Sequence, residues 1–230
     1  EGGLTFSAAY GDFMLNKASN DALVRFVHGK IRGLVEDSKI ADMLCPDNVI
    51  GAKRLCVDTD YYTTFNRDTV DLVDIRQTPI DAIVAGGVQV AGNVHAVDII
   101  VIATGFDAMT GALNAMDIRG TSDVSLRDLW RDGPSSYLGL AMAGFPNLFT
   151  VTGPGSPSVL SNMMPTLEQH VEWITDCIAH VRDKAQMIEA TREAENDWWQ
   201  HVQDLGQIGL KHTTDSWYTG ANIDGKPRVF

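Results

Sequence analysis

The chain has 230 residues, 44% hydrophobic and 21% charged, and its 18 Lys and Arg against 30 Asp and Glu leave a formal charge of −12. This is enough apolar sequence to bury a core, which excludes intrinsic disorder, and three cysteines are too few for a disulfide scaffold. The acidic balance offers no basic stripe for nucleic acid or an anionic membrane surface, and the apolar run Ile99 to Ala103 stops at Thr104-Gly105, far short of the ~18 residues a bilayer span needs.

Cys45, Cys56 and Cys177 stand in no metal-like spacing and cannot pair completely, so reduced thiols, no metal and a cytoplasmic location are expected. The opening Glu1-Gly2-Gly3-Leu4 is neither a signal peptide nor an initiator Met, which reads as a fragment.

Helix comes first. Ala22, Leu23, Phe26, Val27, Ile31, Leu34 and Val35 recur at three- and four-residue steps behind Ser19 and Asn20, which are candidate N-caps. A second short helix starts near Ser38, aligns Ile40, Met43 and Leu44, and stops at Pro46. The period then changes. Val70 to Ile75, Ile80 to Val84 and Val88 to Val90 read as strands divided by Pro79 and Gly86-Gly87, with a turn at Gly92-Asn93.

The β-branched run Val97 to Ala103 has the composition of a strand buried on both faces of a parallel sheet, and Leu148 to Thr152 reads as another, ending in Gly153-Pro154-Gly155. The next helix carries Leu167, Val171, Ile174 and Ile178 on one face, with His170 on a solvated face. The last helix, headed by Thr191, buries Trp198, Val202 and Leu205, and Ser216 to Gly220 and Lys226-Pro227-Arg228 read as loop. Strands ending in glycine turns, alternating with helices, give an α/β class.

Several familiar sites are missing: H-E-x-x-H, C-x-x-C, G-x-S-x-G, the Walker pattern and a complete G-x-G-x-x-G. A nucleotide cofactor would therefore need its phosphate-binding glycines elsewhere. Arg54, beside Lys53, lies where helices give way to strands, the usual crevice of α/β folds; a surface cation paired with a carboxylate is the competing reading. Thr104-Gly105 is either a tight turn or a close backbone approach to a ligand. Trp217-Tyr218 is either a packed flap or a lid over a flat ligand.

Taken together, these segments resemble the C-terminal half of the type I Baeyer–Villiger monooxygenases, flavoenzymes that turn ketones into esters or lactones. The likeness rests on Gly51-Ala52-Lys53-Arg54-Leu55-Cys56, Phe65-Asn66-Arg67, Ala103 to Gly111, Tyr137-Leu138-Gly139 and Gly144 to Phe149. It continues through Gly153 to Pro157, Ser161-Asn162-Met163 and Ser216 to Asn222, so that it runs along essentially the whole chain.

The resemblance implies the C-terminal half of a two-domain, Rossmann-like FAD- and NADP-binding flavoprotein with a helical insertion. Residues 1–49 would end that insertion, 50–100 would return to the NADP-binding domain, and 101–230 would return to the FAD-binding domain. It implies NADPH, FAD, O2 and a ketone as reactants, working through a flavin C4a-peroxide, and a missing N-terminal half as partner. Among the residues, it implies Arg54 as the fixed cation at the reacting centre and Lys53 at the NADP phosphate or ribose. Trp217 would cover the nicotinamide ribose, Met163 would stand against the flavin, and Thr104-Gly105 would form the crossover between domains. Ser158, Val159 and Leu160 would line the ketone pocket. A related N- or S-oxidising flavin monooxygenase and a truncated non-catalytic product are the alternatives.

Overall fold

The computed structural model describes residues 11–156, 162–182, 184 and 187–228. Helix α1, Lys17–Leu34, forms as its periodicity requires, but its N-cap is Asn16, whose side chain accepts from Ala18 N and Ser19 N. Leu23 packs with Phe13 and Ile50, while Ile31 packs with Val35 and with Ala41 of α2, Ser38–Leu44. Asp37 caps α2, and Cys45 closes it one residue before Pro46, as the missing proline N–H dictates. A one-turn helix, α3, covers Tyr61–Thr64.

The sheet of the described residues is a three-stranded antiparallel meander: β1 (Ile80–Val84), β2 (Gly87–Val90) and β3 (Asn93–Ala96), in the order β1-β2-β3. Ala91 and Gly92 both hold positive φ, the primed-turn geometry that lets two residues join twisted strands. Gly87 is required by space as well as by its φ, since a Cβ there would run into the His95 carbonyl oxygen.

Three strand expectations fail. Residues 70–75 fold as turn and irregular chain, with the Asp74 carboxylate gathering Arg76 and Gln77. Residues 97–103 form no strand, and Ile99, Val101 and Ile102 are 81%, 83% and 75% exposed. A strand is stabilised by its ladder, and no sheet among the described residues accepts this run. Residues 148–152 are held by a turn instead: Thr150 N donates to Leu140 O, and Thr150 Oγ1 and Gly153 N both donate to Gly139 O.

Short helices α4 (Gly111–Asn114) and α5 (Leu126–Leu129) lead into a core of Leu126, Trp130, Met142 and Phe145. The long helices α6 (Met163–Arg182) and α7 (Arg192–Gln207) follow. The expected apolar face of α6 is only partly covered, with Leu167 and Ile174 half-buried but Val171 and Ile178 exposed. Its buried residue is His170, expected in solvent; Nδ1 accepts from Thr152 N at 3.0 Å and fixes the chain ahead of Gly153. Thr191 caps α7 as expected. Trp198 and Val202 are half-buried against Gly155, Leu205 is exposed, and the residue that α7 buries fully is Glu195. No helix of the described residues is long and apolar enough to cross a membrane.

Candidate functional site

Residues 50–54 turn sharply away from α2. Gly51 takes φ +90 and backs onto the Met14 sulfur, where any Cβ would collide, so the turn is reserved for glycine. Two buried polar side chains clamp it from opposite directions in sequence. From α1, Asn20 donates through Nδ2 to Phe13 O (2.9 Å) and Ile50 O (3.0 Å) and accepts from Ile50 N (3.2 Å). From the C-terminal region, the Ser216 hydroxyl donates to Ala52 O at 2.7 Å across 164 residues. Ser216 is 3% exposed and Ala52 1%, so this bond is shielded from water.

Beyond the clamp the chain comes to the surface, and Lys53 and Arg54 are both exposed. The other side of the Ser216 bond is a 3-10 turn, Trp217–Thr219, closed by Gly220 in the left-handed conformation. Its Trp217 and Tyr218 rings lie 4.0 Å apart, centroid to centroid. Burial pushes the Tyr218 hydroxyl above its usual pKa range; the Arg54 charge works against the rise and Cys56 adds to it. Arg54 and Tyr218 thus share one electrostatic neighbourhood. The Ser216–Ala52 bond and the Arg54–Tyr218 interaction join the two segments that carry Lys53 and Trp217, as the chain order alone could not establish.

The turn belongs to a longer strap. Asn222 Nδ2 donates to Phe106 O (3.2 Å), and Lys226 pairs with Asp107 and donates to Ala108 O (2.7 Å). The strap lines two clefts, of about 150 Å³ at Lys211, Thr214, Asp215, Thr219 and Arg228, and about 230 Å³ at Asp107, Trp130, Ile223, Lys226 and Pro227. Burial lowers the pKa of Lys211 in the first.

Thr104 and Gly105 stand just ahead of the strap's far anchor. Both are exposed, and a Cβ on Gly105 would meet nothing, so packing does not explain this glycine, although its φ of +86 does favour one. Met163 opens α6 half-buried, next to Asn162, whose Oδ1 accepts from Met164 N. Ser158, Val159 and Leu160 lie outside the described residues. Upstream of them, Gly153-Pro154-Gly155 is firmly held, with Ser136 Oγ donating to Pro154 O and Trp198 Nε1 to Gly155 O. Among the described residues no group of three or more His, Cys, Asp or Glu could hold a metal ion.

Sequence reasoning missed Asn20, Ser216 and Glu195 as organising residues. Asn20 did leave a signal, a lone amide three residues before Leu23 on an otherwise apolar stripe.

Comparison with known proteins sets this geometry in context. No protein-family model matches the chain. Over 228 residues it is 40% identical to a cyclohexanone 1,2-monooxygenase of an Acinetobacter species, the match covering 98% of this chain and 41% of that protein. Over 219 residues it is 40% identical to a phenazine N-monooxygenase of Lysobacter antibioticus, covering 94% of this chain and 40% of that one. A crystal structure of OTEMO in complex with FAD and NADP superposes on 95% of the chain with a TM-score of 0.88 at 40% identity, taking in 41% of the OTEMO chain.

The chain is homologous to the Baeyer–Villiger monooxygenases. It spans about two-fifths of the length of the curated relatives it matches. Its mixed helix-and-sheet architecture is that of part of the OTEMO structure solved in complex with FAD and NADP. The exposed residues 97–103 are β-branched sequence within a chain whose relatives are more than twice as long.

Proposed function

We propose that the full-length protein carrying these residues is an FAD- and NADPH-dependent Baeyer–Villiger monooxygenase. The reaction inserts one oxygen atom of O2 next to a ketone carbonyl, giving an ester or lactone; the other oxygen atom leaves as water, and NADPH supplies the two electrons. The observation that carries this reading is the Ser216–Ala52 bond, which sets Trp217 and Tyr218 beside Lys53 and Arg54. In this reading residues 1–49 end a helical insertion, 50–100 belong to the NADP-binding domain and 101–230 to the FAD-binding domain, and the rest of the enzyme supplies the phosphate-binding glycines.

FAD, when bound, accepts hydride from NADPH and activates O2. The protein's own residues then manage charge and water. Arg54 holds a fixed positive charge where negative charge develops, on a planar guanidinium suited to stabilising an anion. Lys53 holds a phosphate or ribose of NADP. Trp217 covers the nicotinamide end and, with Tyr218, excludes water. Met163 packs against the flavin at the start of α6, and Thr104-Gly105 gives a bare backbone between the two domains. Ser158, Val159 and Leu160 line the ketone pocket.

A second reading, oxidation of a ring nitrogen, is favoured by the 40% identity to a phenazine N-monooxygenase.

The test is Arg54→Ala in the full-length protein. Ester formation should fall by at least about 10²-fold, the scale for removing a fixed group that stabilises transition-state charge, while NADPH still reduces the flavin. Retained ester formation would show that Arg54 is not the cation that stabilises the reacting centre.

A further inference from the structure

Ser216 does more than the turn it opens requires. Its hydroxyl accepts from Tyr218 N at 3.3 Å, an ordinary cap, but its proton goes to Ala52 O rather than to solvent. Its carbonyl gathers Thr219 N (3.1 Å), Thr219 Oγ1 (2.9 Å) and Ala221 N (3.0 Å), so residues 216–221 form a self-bonded knot. The knot carries the aromatic pair and joins the rest of the molecule at both ends, through Ser216 at Ala52 and through Asn222 and Lys226 at residues 106–108. Trp217 itself remains 38% exposed, so its apolar burial alone is a weak fastening.

We propose that Ser216 is a positioning residue for the site. By donating to the Ala52 carbonyl it latches the 216–226 strap and sets Trp217 and Tyr218 against Lys53 and Arg54; losing that bond opens the strap about its far anchor at residues 106–108. The physical reason is graded strength. One buried hydrogen bond is strong enough to favour the closed strap and weak enough to be exchanged each time a dinucleotide enters or leaves. Opening frees the knot from its buried anchor and loosens its internal bonds, so the Thr219 to Ala221 amides report the open state. The proposal rests on the function proposed above for the meaning of the closed state, while the latch itself is readable without any cofactor.

The experiment compares Ser216→Ala and Ser216→Thr with the parent, all as full-length protein. Threonine keeps the hydroxyl and suits the extended backbone at this position, φ −141 and ψ 144. In the cofactor-free proteins, hydrogen exchange should be about tenfold faster for the Tyr218 to Ala221 amides in Ser216→Ala, with the α1 amides unchanged and the parent rate restored in Ser216→Thr. With NADPH, Ser216→Ala should raise KM about tenfold and change kcat less than twofold. Unchanged exchange at 218–221 would overturn the proposal. So would faster exchange spread through α1, which would mark Ser216 as a general structural residue. Failure of the parent to bind or oxidise NADPH would sink the proposed function instead, and the cofactor-free exchange would still decide the latch.

Discussion

The clamp on the Arg54 run can be tested from its other side, at Asn20. This amide is 2% exposed and makes three bonds, two donated to Phe13 O and Ile50 O and one accepted from Ile50 N. Asn20→Ala deletes all three and leaves the Ile50 N–H and two carbonyls facing a small cavity. At about 1 kcal/mol net for each bond the loss is about 3 kcal/mol. Alanine returns about 0.5 kcal/mol through its better helix propensity, so the expected loss is about 2.5 kcal/mol.

With a urea slope of about 2 kcal/mol/M, the denaturation midpoint should fall by about 1.2 M, with the slope itself unchanged. Asn20→Asp keeps one acceptor for Ile50 N but turns a second anionic oxygen toward two carbonyl oxygens. It should cost at least as much at pH 7 and less below pH ~4, where the carboxyl is protonated and can donate. A midpoint shift under ~0.3 M for Asn20→Ala would refute the claim that this side chain holds the turn.

Two other buried polar groups carry expectations of their own. Glu195, 0% exposed, accepts from Ser135 Oγ (2.5 Å), Ala143 N (2.8 Å) and Arg192 Nη1 (3.4 Å), so Glu195→Ala orphans a buried N–H and a half-buried hydroxyl and unpairs the Arg192 guanidinium, and should cost about 3 kcal/mol, a drop of roughly 6–12 °C in Tm by calorimetry. A drop under ~2 °C would contradict the buried network. Burial holds His170 below its ordinary pKa, so the unfolded chain takes up the proton first as pH falls through ~6.5; stability is full above that value, falls as pH drops toward the folded pKa and levels below it. His170→Asn keeps an acceptor for Thr152 N and should flatten that dependence relative to the parent when Tm is measured between about pH 7.5 and 5.5; an equally steep variant would show that His170 is not the titrating group.

Local chemistry made some of this structure legible. Pro46 stops α2, Thr191 starts α7, and β1 and β2 come out where β-branched residues alternate with glycine turns. The failures have a common cause. Val97 to Ala103 has strand composition, but a strand is a relation between two segments, and no partner stands among the described residues. His170 read as a surface polar residue because sequence spacing does not reveal which backbone N–H groups need an acceptor. The site was legible in its pieces and not in its assembly. Periodicity could not say that Ala52 and Ser216, 164 residues apart, share a hydrogen bond, so the nearness of Arg54 and Trp217 was implied only by resemblance.

The most direct test of the central claim follows oxygen. Full-length protein supplied with NADPH, cyclohexanone and ¹⁸O2 should yield the ring-expanded lactone carrying one heavy oxygen atom, read by mass spectrometry, with NADPH consumed in equal amount. Unchanged ketone in the presence of flavin-bound protein and oxidised NADPH, across cyclohexanone and a panel of linear and cyclic ketones, would contradict ketone oxygenation as the function of this protein.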